Sequence, residues 1–168
     1  RCPSVYWFNP ACEAQVALGR VGFTPSRPVQ LLARDFETLP MLLCARDDVV
    51  LVQQRPSTHF LRQLQRARFP IPEFVAYDSA GLTPTELAQR RISSLRPWGW
   101  SPDGDRFLQP LRANLPAGSQ GFWDEAIQPL YSKVWSANLL GEFLRARPET
   151  EDWLCAAEVV GVSCTTLE

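Results

Sequence analysis

Apolar positions change their period several times along the chain, and each change marks an element. Val5-Tyr6-Trp7-Phe8 is continuously apolar, which predicts a strand covered on both faces, as in a parallel sheet. Asn9-Pro10 ends it, because proline cannot continue the ladder and asparagine favours a turn. Ala11 to Leu18 is helix-compatible and closes on Gly19 and Gly22. Phe23-Thr24-Pro25 is a second turn. From Pro28, Val29, Leu32, Ala33 and Phe36 recur at i, i+3, i+4 and i+7, one helical face that stops at Leu39-Pro40. Val49-Val50-Leu51-Val52 predicts a second buried strand.

Ser57-Thr58 caps a further helix that turns Phe60, Leu61, Leu64 and Ala67 inward, until Pro70 and Pro72 break it. Phe74-Val75-Ala76-Tyr77 predicts a third strand ending at Asp78. Thr83-Pro84-Thr85-Glu86 has capping-box spacing, and Leu87, Ala88, Arg91 and Leu95 carry a predicted helix to Pro97. Trp98-Gly99-Trp100-Ser101-Pro102 is an aromatic turn, and Asp103 to Leu111 a short helix. Asp124 to Arg147 is the longest helical pattern. Val159 to Ser163 reads as a last strand. Strands alternating with helices predict an α/β fold: a Rossmann-like, mostly parallel sheet flanked by helices, with a helical C-terminal extension. The expected boundaries are 1–95 for the Rossmann-like domain and 96–168 for the extension.

Composition narrows the function classes. The 168 residues suit one ordinary domain with a small appendage, and 45% hydrophobic content supports a packed core. A net charge of −1 gives no electrostatic reason to expect nucleic acid or an anionic membrane as a partner. No apolar run approaches the roughly 20 residues of a bilayer span. The five cysteines are scattered, with no CxxC, and read as free thiols in a reducing, cytoplasmic setting. The chain starts at Arg1 and breaks off at Thr166-Leu167-Glu168, so we expect the front part of a larger protein.

Catalytic constellations are missing from the sequence: GxSxG, GxxxxGK[ST] and GxGxxG do not occur. His59 is the only histidine, so a zinc site is not expected. Asp47-Asp48 offers either a metal pair or a polar lead-in to a strand. Asp78 and Asn9 stand at carboxyl ends of presumed parallel strands, outside which open α/β sheets bind ligands. Asn9 can equally hold its own turn. Glu13 on the first helix lies near the same crevice, or simply in solvent. The Trp98-Gly99-Trp100 element offers a carbohydrate or base platform or, more simply, a structural plug in a proline-bounded turn, and is assigned to packing.

Several of these pieces also occur in a fixed order. Phe8-Asn9-Pro10, with Glu13 and Ala17-Leu18, resembles a family opening FNPxxExxxAL, and Phe23-Thr24-Pro25 is similar to its YTP turn. Asp35, Leu39-Pro40 and Asp48 to Val52 resemble its D…LP…D-VLV stretch. Pro97-Trp98-Gly99-Trp100 resembles its PWGW, and Ser132-Lys133 with Trp135-Ser136 its S-[KR]-x-x-S helix. Ala11, Cys12 and Gln15 depart from the pattern. The resemblance is to the N-terminal pre-ATP-grasp domain of an uncharacterised bacterial group of ATP-grasp-like proteins. It implies a parent ligase that joins a carboxylate to an amine or thiol using ATP and magnesium, with no cofactor held in this chain. It implies Asn9, Glu13, Thr24 and Asp78 as residues lining a small-molecule substrate site. It also implies a following ATP-grasp domain as partner, with a homodimer left open. A non-enzymatic adaptor that binds a protein partner is the alternative. A free-standing small enzyme is disfavoured by the missing nucleophile, base and metal cluster.

Overall fold

The computed structural model describes residues 1–78, 87, 89–119, 122–146 and 160–161. It divides into two compact units, Arg1–Trp123 and Asp124–Glu168.

The first unit is built on four short strands: β1 (Ser4–Trp7), β2 (Val49–Val52), β3 (Glu73–Ala76) and β4 (Ser94–Pro97). All neighbours pair in parallel, in the order β3-β2-β1-β4. The apolar runs that predict β1 and β2 are needed because both faces of the sheet are covered. All four residues of β2 are fully buried. On one face Val5, Leu51, Val75 and Leu95 pack against Leu108 and Leu111. Val50, Val52 and Phe74 pack on the other, against Met41, Leu61 and Ile71. This is a Rossmann-like α/β fold, as the alternation of elements predicts.

Helix α1 (Cys12–Leu18) follows β1 and ends where Gly19 takes a left-handed conformation, φ 69°, and returns its N–H to the Gln15 and Val16 carbonyls. Helix α2 (Arg27–Asp35) forms as its periodicity predicts, but no residue of it is buried; Leu32 and Phe36 stay 46% and 49% exposed. A 3-10 helix over Leu39–Leu43 follows. Helix α3 (Thr58–Arg66) is capped by Ser57, whose hydroxyl accepts from the Phe60 N–H at 3.2 Å.

The segment 94–97 overturns an expectation. The predicted helix reaching Pro97 is replaced there by β4, which pairs with β1 from Ser4↔Ser94 to Trp7↔Pro97. Leu95 is buried by the sheet rather than by a helical stripe. Proline is tolerated because β4 is an edge strand and Pro97 its last residue. The capping box over 83–86 lies outside the described residues, as do 159, 162 and 163 of the expected last strand, while 160 and 161 are described and are not strand.

After the aromatic turn, α4 (Pro102–Leu108) begins with proline in its first turn. A 3-10 helix over Gln109–Asn114 continues it. The second unit also departs from a single long helix. Glu125–Tyr131 is 3-10 helical with Pro129 inside it, and the α-helix proper, α5 (Lys133–Ala146), starts only after an extended Ser132. Pro129 supplies no N–H and crowds the carbonyl four residues earlier, which breaks the α pattern. Among the described residues no helix is long and apolar enough to cross a membrane.

Candidate functional site

In the order β3-β2-β1-β4 the chain reverses direction across the sheet between β1 and β4. The carboxyl ends of those two strands are therefore the switch point at which open α/β sheets form a ligand crevice. The Trp98 N–H donates to the Trp7 carbonyl at 2.8 Å, carrying the ladder one step past β4.

Asn9 crowns this point. It is 5% exposed and uses both ends of its amide on one residue of the opposite strand's exit. Its Nδ2 donates to the Gly99 carbonyl at 2.7 Å, and its Oδ1 accepts from the Gly99 N–H at 3.2 Å. The Asn9 carbonyl meanwhile accepts from the Cys12 N–H at 3.1 Å and starts α1. Asn9 thus joins the exits of β1 and β4 across 90 residues of sequence, as well as shaping its own turn.

The other sequence-selected residues are more dispersed. Glu13 is exposed in the first turn of α1. Asp78 is exposed just past β3. With β2 between β3 and β1, it stands two strand spacings from Asn9, about 10 Å along the sheet. Thr24 is exposed in the loop between α1 and α2. That loop is tied to α4 by Asp103, whose carboxylate accepts from the Gly22 N–H at 2.7 Å and the Phe23 N–H at 3.2 Å.

Residues that the sequence did not single out do much of the positioning. Ser101 is fully buried. Its hydroxyl donates to Gln15 Oε1 at 2.5 Å and accepts from the Gly104 N–H at 3.1 Å, so one side chain caps α4 and fastens it to α1. Trp7 stacks on Phe107 with ring centres 4.3 Å apart, and Phe107 meets Tyr77 edge-on at 5.0 Å. Buried Glu37 accepts from the Gln53 N–H at 2.6 Å and the Gln54 N–H at 3.2 Å, fixing the chain as it leaves β2. Beside it, Arg34, Gln54, Arg55 and Ser57 line a shallow depression of about 500 Å³.

Asp48 settles the two readings of Asp47-Asp48 in favour of a structural role for Asp48. It is 2% exposed, and its oxygens accept from the Ser4 N–H at 2.9 Å and the Ala45 N–H at 2.8 Å, at the amino ends of β1 and β2. Beside it, the Cys44 thiol is pushed up to about 12 by burial, with the Asp48 charge adding to the effect. Burial also raises the Cys12 thiol. Neither is an activated nucleophile. Among the described residues no group of three or more His, Cys, Asp or Glu side chains is placed to hold a metal.

The fold and this edge define an open α/β domain whose β1 and β4 exits are joined at the switch point. No family model, curated protein or solved structure matches the chain.

Proposed function

We propose that this chain is the N-terminal part of an ATP-grasp-type ligase-like protein, joining a carboxylate to an amine or thiol, and that it contributes substrate binding and domain packing without catalysing alone. The observation that carries the reading is the clamp at the β1–β4 switch point. Asn9 opens the ordered motif set that resembles pre-ATP-grasp domains, and Gly99 belongs to the PWGW motif of the same set. Two motifs 90 residues apart in sequence meet in one pair of hydrogen bonds. A resemblance spread along the chain would need such convergence.

In a ligase of this kind ATP and magnesium supply the activation of the carboxylate, and both belong to the following domain. This chain's contribution is to hold the acceptor site rigid. Asn9 ties the exits of β1 and β4 together, Asp103 fixes the loop that carries Thr24, and Glu13 and Asp78 stand exposed just past β1 and β3. By this reading the protein works in the cytoplasm, with its thiols reduced.

A second reading has its own support. In α5, Leu139, Leu140 and Phe143 are 50%, 46% and 58% exposed, which suits an adaptor that covers this helix with a protein partner. The coding sequence downstream of Glu168 separates the two. A glycine-rich loop with two spaced lysines over the next domain supports the ligase, and their absence leaves the adaptor.

A further inference from the structure

The sheet face opposite α4 carries an open cleft at its β4 edge. It lies between β1, β4 and the 3-10 helix over Leu39–Leu43, with a volume of about 450 Å³. Tyr6 and Arg96 are register partners in the β1–β4 ladder, so both project to this side, while Val5 and Leu95 project into the core beneath α4. None of Asn9, Glu13, Thr24 and Asp78 lines the cleft. An inference drawn from it therefore stands apart from the ligase reading.

Its walls are aromatic and aliphatic: Tyr6, Trp98, Pro40, Pro97 and Leu43. The Tyr6 hydroxyl donates to the Leu43 carbonyl at 3.4 Å and ties one wall to the 3-10 helix. Trp98 is braced edge-on by Phe8, with ring centres 5.3 Å apart, yet remains 53% exposed. A half-exposed tryptophan held in place by its neighbour is a ready contact surface for a flat apolar group.

Among the described residues lining it, Arg96 is the one charged group. Its Nε donates to Ser94 Oγ at 3.2 Å, which anchors the side chain. Its two terminal nitrogens have no hydrogen-bond partner among the described residues. Arg1 is a second positive charge acting on Tyr6. The carboxylate that also acts on Tyr6, that of Asp48, is buried and taken up by two backbone N–H groups. The cleft thus has cationic charge without a competing exposed acid in its lining. A planar guanidinium with free N–H groups matches a carboxylate. The volume falls within the range of small-molecule sites.

We propose that this cleft binds a small aromatic carboxylate, its carboxylate on the terminal nitrogens of Arg96 and its ring against Tyr6 and Trp98. The test is a titration of the protein with phenylacetate and indole-3-acetate, followed by the backbone and indole N–H signals of Trp98. The corresponding neutral amides and inorganic phosphate are titrated in parallel. Saturable shifts with the carboxylates are expected, with affinity about tenfold or more weaker for the amides and for Arg96→Gln, since a charge-assisted pair is lost in each. Phosphate, which has no ring, should bind at least as much more weakly. Trp98→Ala should weaken the acids, whereas Arg62→Gln, at an exposed position on α3, should not. Arg96 is exposed, so a thermal scan of Arg96→Gln should match the parent. Equal binding of acid and amide, phosphate binding as tight as the aryl acids, indifference to Arg96→Gln, or no saturable shift at all would each overturn the proposal.

Discussion

Replacing Asn9 by alanine removes both hydrogen bonds of the clamp and leaves the Gly99 N–H and carbonyl without their partner. Each bond contributes a net 0.5–1.5 kcal/mol as a rough central range. Asn9 is 5% exposed and Gly99 half-buried, so water substitutes only in part. We therefore expect a loss of about 2 kcal/mol, or on the order of 5 °C in Tm for a chain of this size. Asn9→Asp is the sharper variant. It keeps the shape and the acceptor for the Gly99 N–H, but sets a carboxylate oxygen where Nδ2 now donates to the Gly99 carbonyl. Its loss at pH 7 should be at least as large. That loss should shrink relative to the parent as the pH falls and the new carboxyl gains a proton it can donate. Guanidinium unfolding followed by tryptophan fluorescence measures both, with the slope expected to be unchanged. An Asn9→Ala protein within about 0.5 kcal/mol of the parent, or an Asn9→Asp protein as stable as the parent at pH 7, would refute the clamp as a structural element.

Three other perturbations test the supports of the same edge. A Cβ on Gly104 would sit 3.0 Å from Ser101 Oγ and 3.4 Å from Asn9 Nδ2. Gly104→Ala should therefore destabilise by about 1–2 kcal/mol despite alanine's better helix propensity; a rise in the unfolding midpoint would contradict the packing described. Glu37→Gln weakens two charge-assisted contacts at the exit of β2 and should cost about 2 kcal/mol, measured by the same denaturation. A value near zero would mean that the 53–54 turn holds itself. Cys44 gives a pH test. Its thiol is raised by burial from the ordinary 9.0 to about 12, so folding disfavours the thiolate. Its contribution is whole below pH 9.0 and is lost as the pH climbs toward about 12. Cys44→Ala should flatten part of the alkaline fall in Tm. With its thiol held well above the ordinary range by burial, Cys44 should be modified by iodoacetamide far more slowly at pH 8 than exposed Cys2, as read by peptide mass spectrometry. Equal rates would contradict its burial.

How much of this was legible in the sequence varies by element. β1 and β2 announce themselves because central strands covered on both faces need uninterrupted apolar side chains, and Val49 to Val52 have no other reason to be so uniform. β3 is an edge strand with exposed ends, yet Phe74 and Val75 each fill one of the two cores and keep its apolar signal. β4 does not. Ser94-Leu95-Arg96-Pro97 buries only Leu95, and as an edge strand it needs no apolar run. Its Leu95 also continues the four-residue spacing of Leu87 and Arg91, which imitates a helix. The stripe on α2 gave the helix but not its burial, since periodicity records a face and not what covers it. Pro129 is the residue that keeps the segment from Asp124 from being one α-helix.

The same division holds for the candidate site. Strand ends alone put Asn9 and Asp78 at the carboxyl edge, past β1 and β3. That Gly99 would be the partner of Asn9 could not be read, because the contact depends on β4 lying beside β1 rather than on local spacing. Glu37 and Asp103 carry no motif. Each is recognisable only once the backbone N–H groups they accept from are in position.

The central proposal is that this chain is the N-terminal part of an ATP-grasp-type ligase-like protein and does not catalyse alone. Release of ADP tests it most directly, measured with ATP, magnesium and a panel of carboxylic acids with amines or thiols. We expect no turnover from this chain and acid-dependent turnover once the following domain is present. ADP release by this chain alone would contradict it.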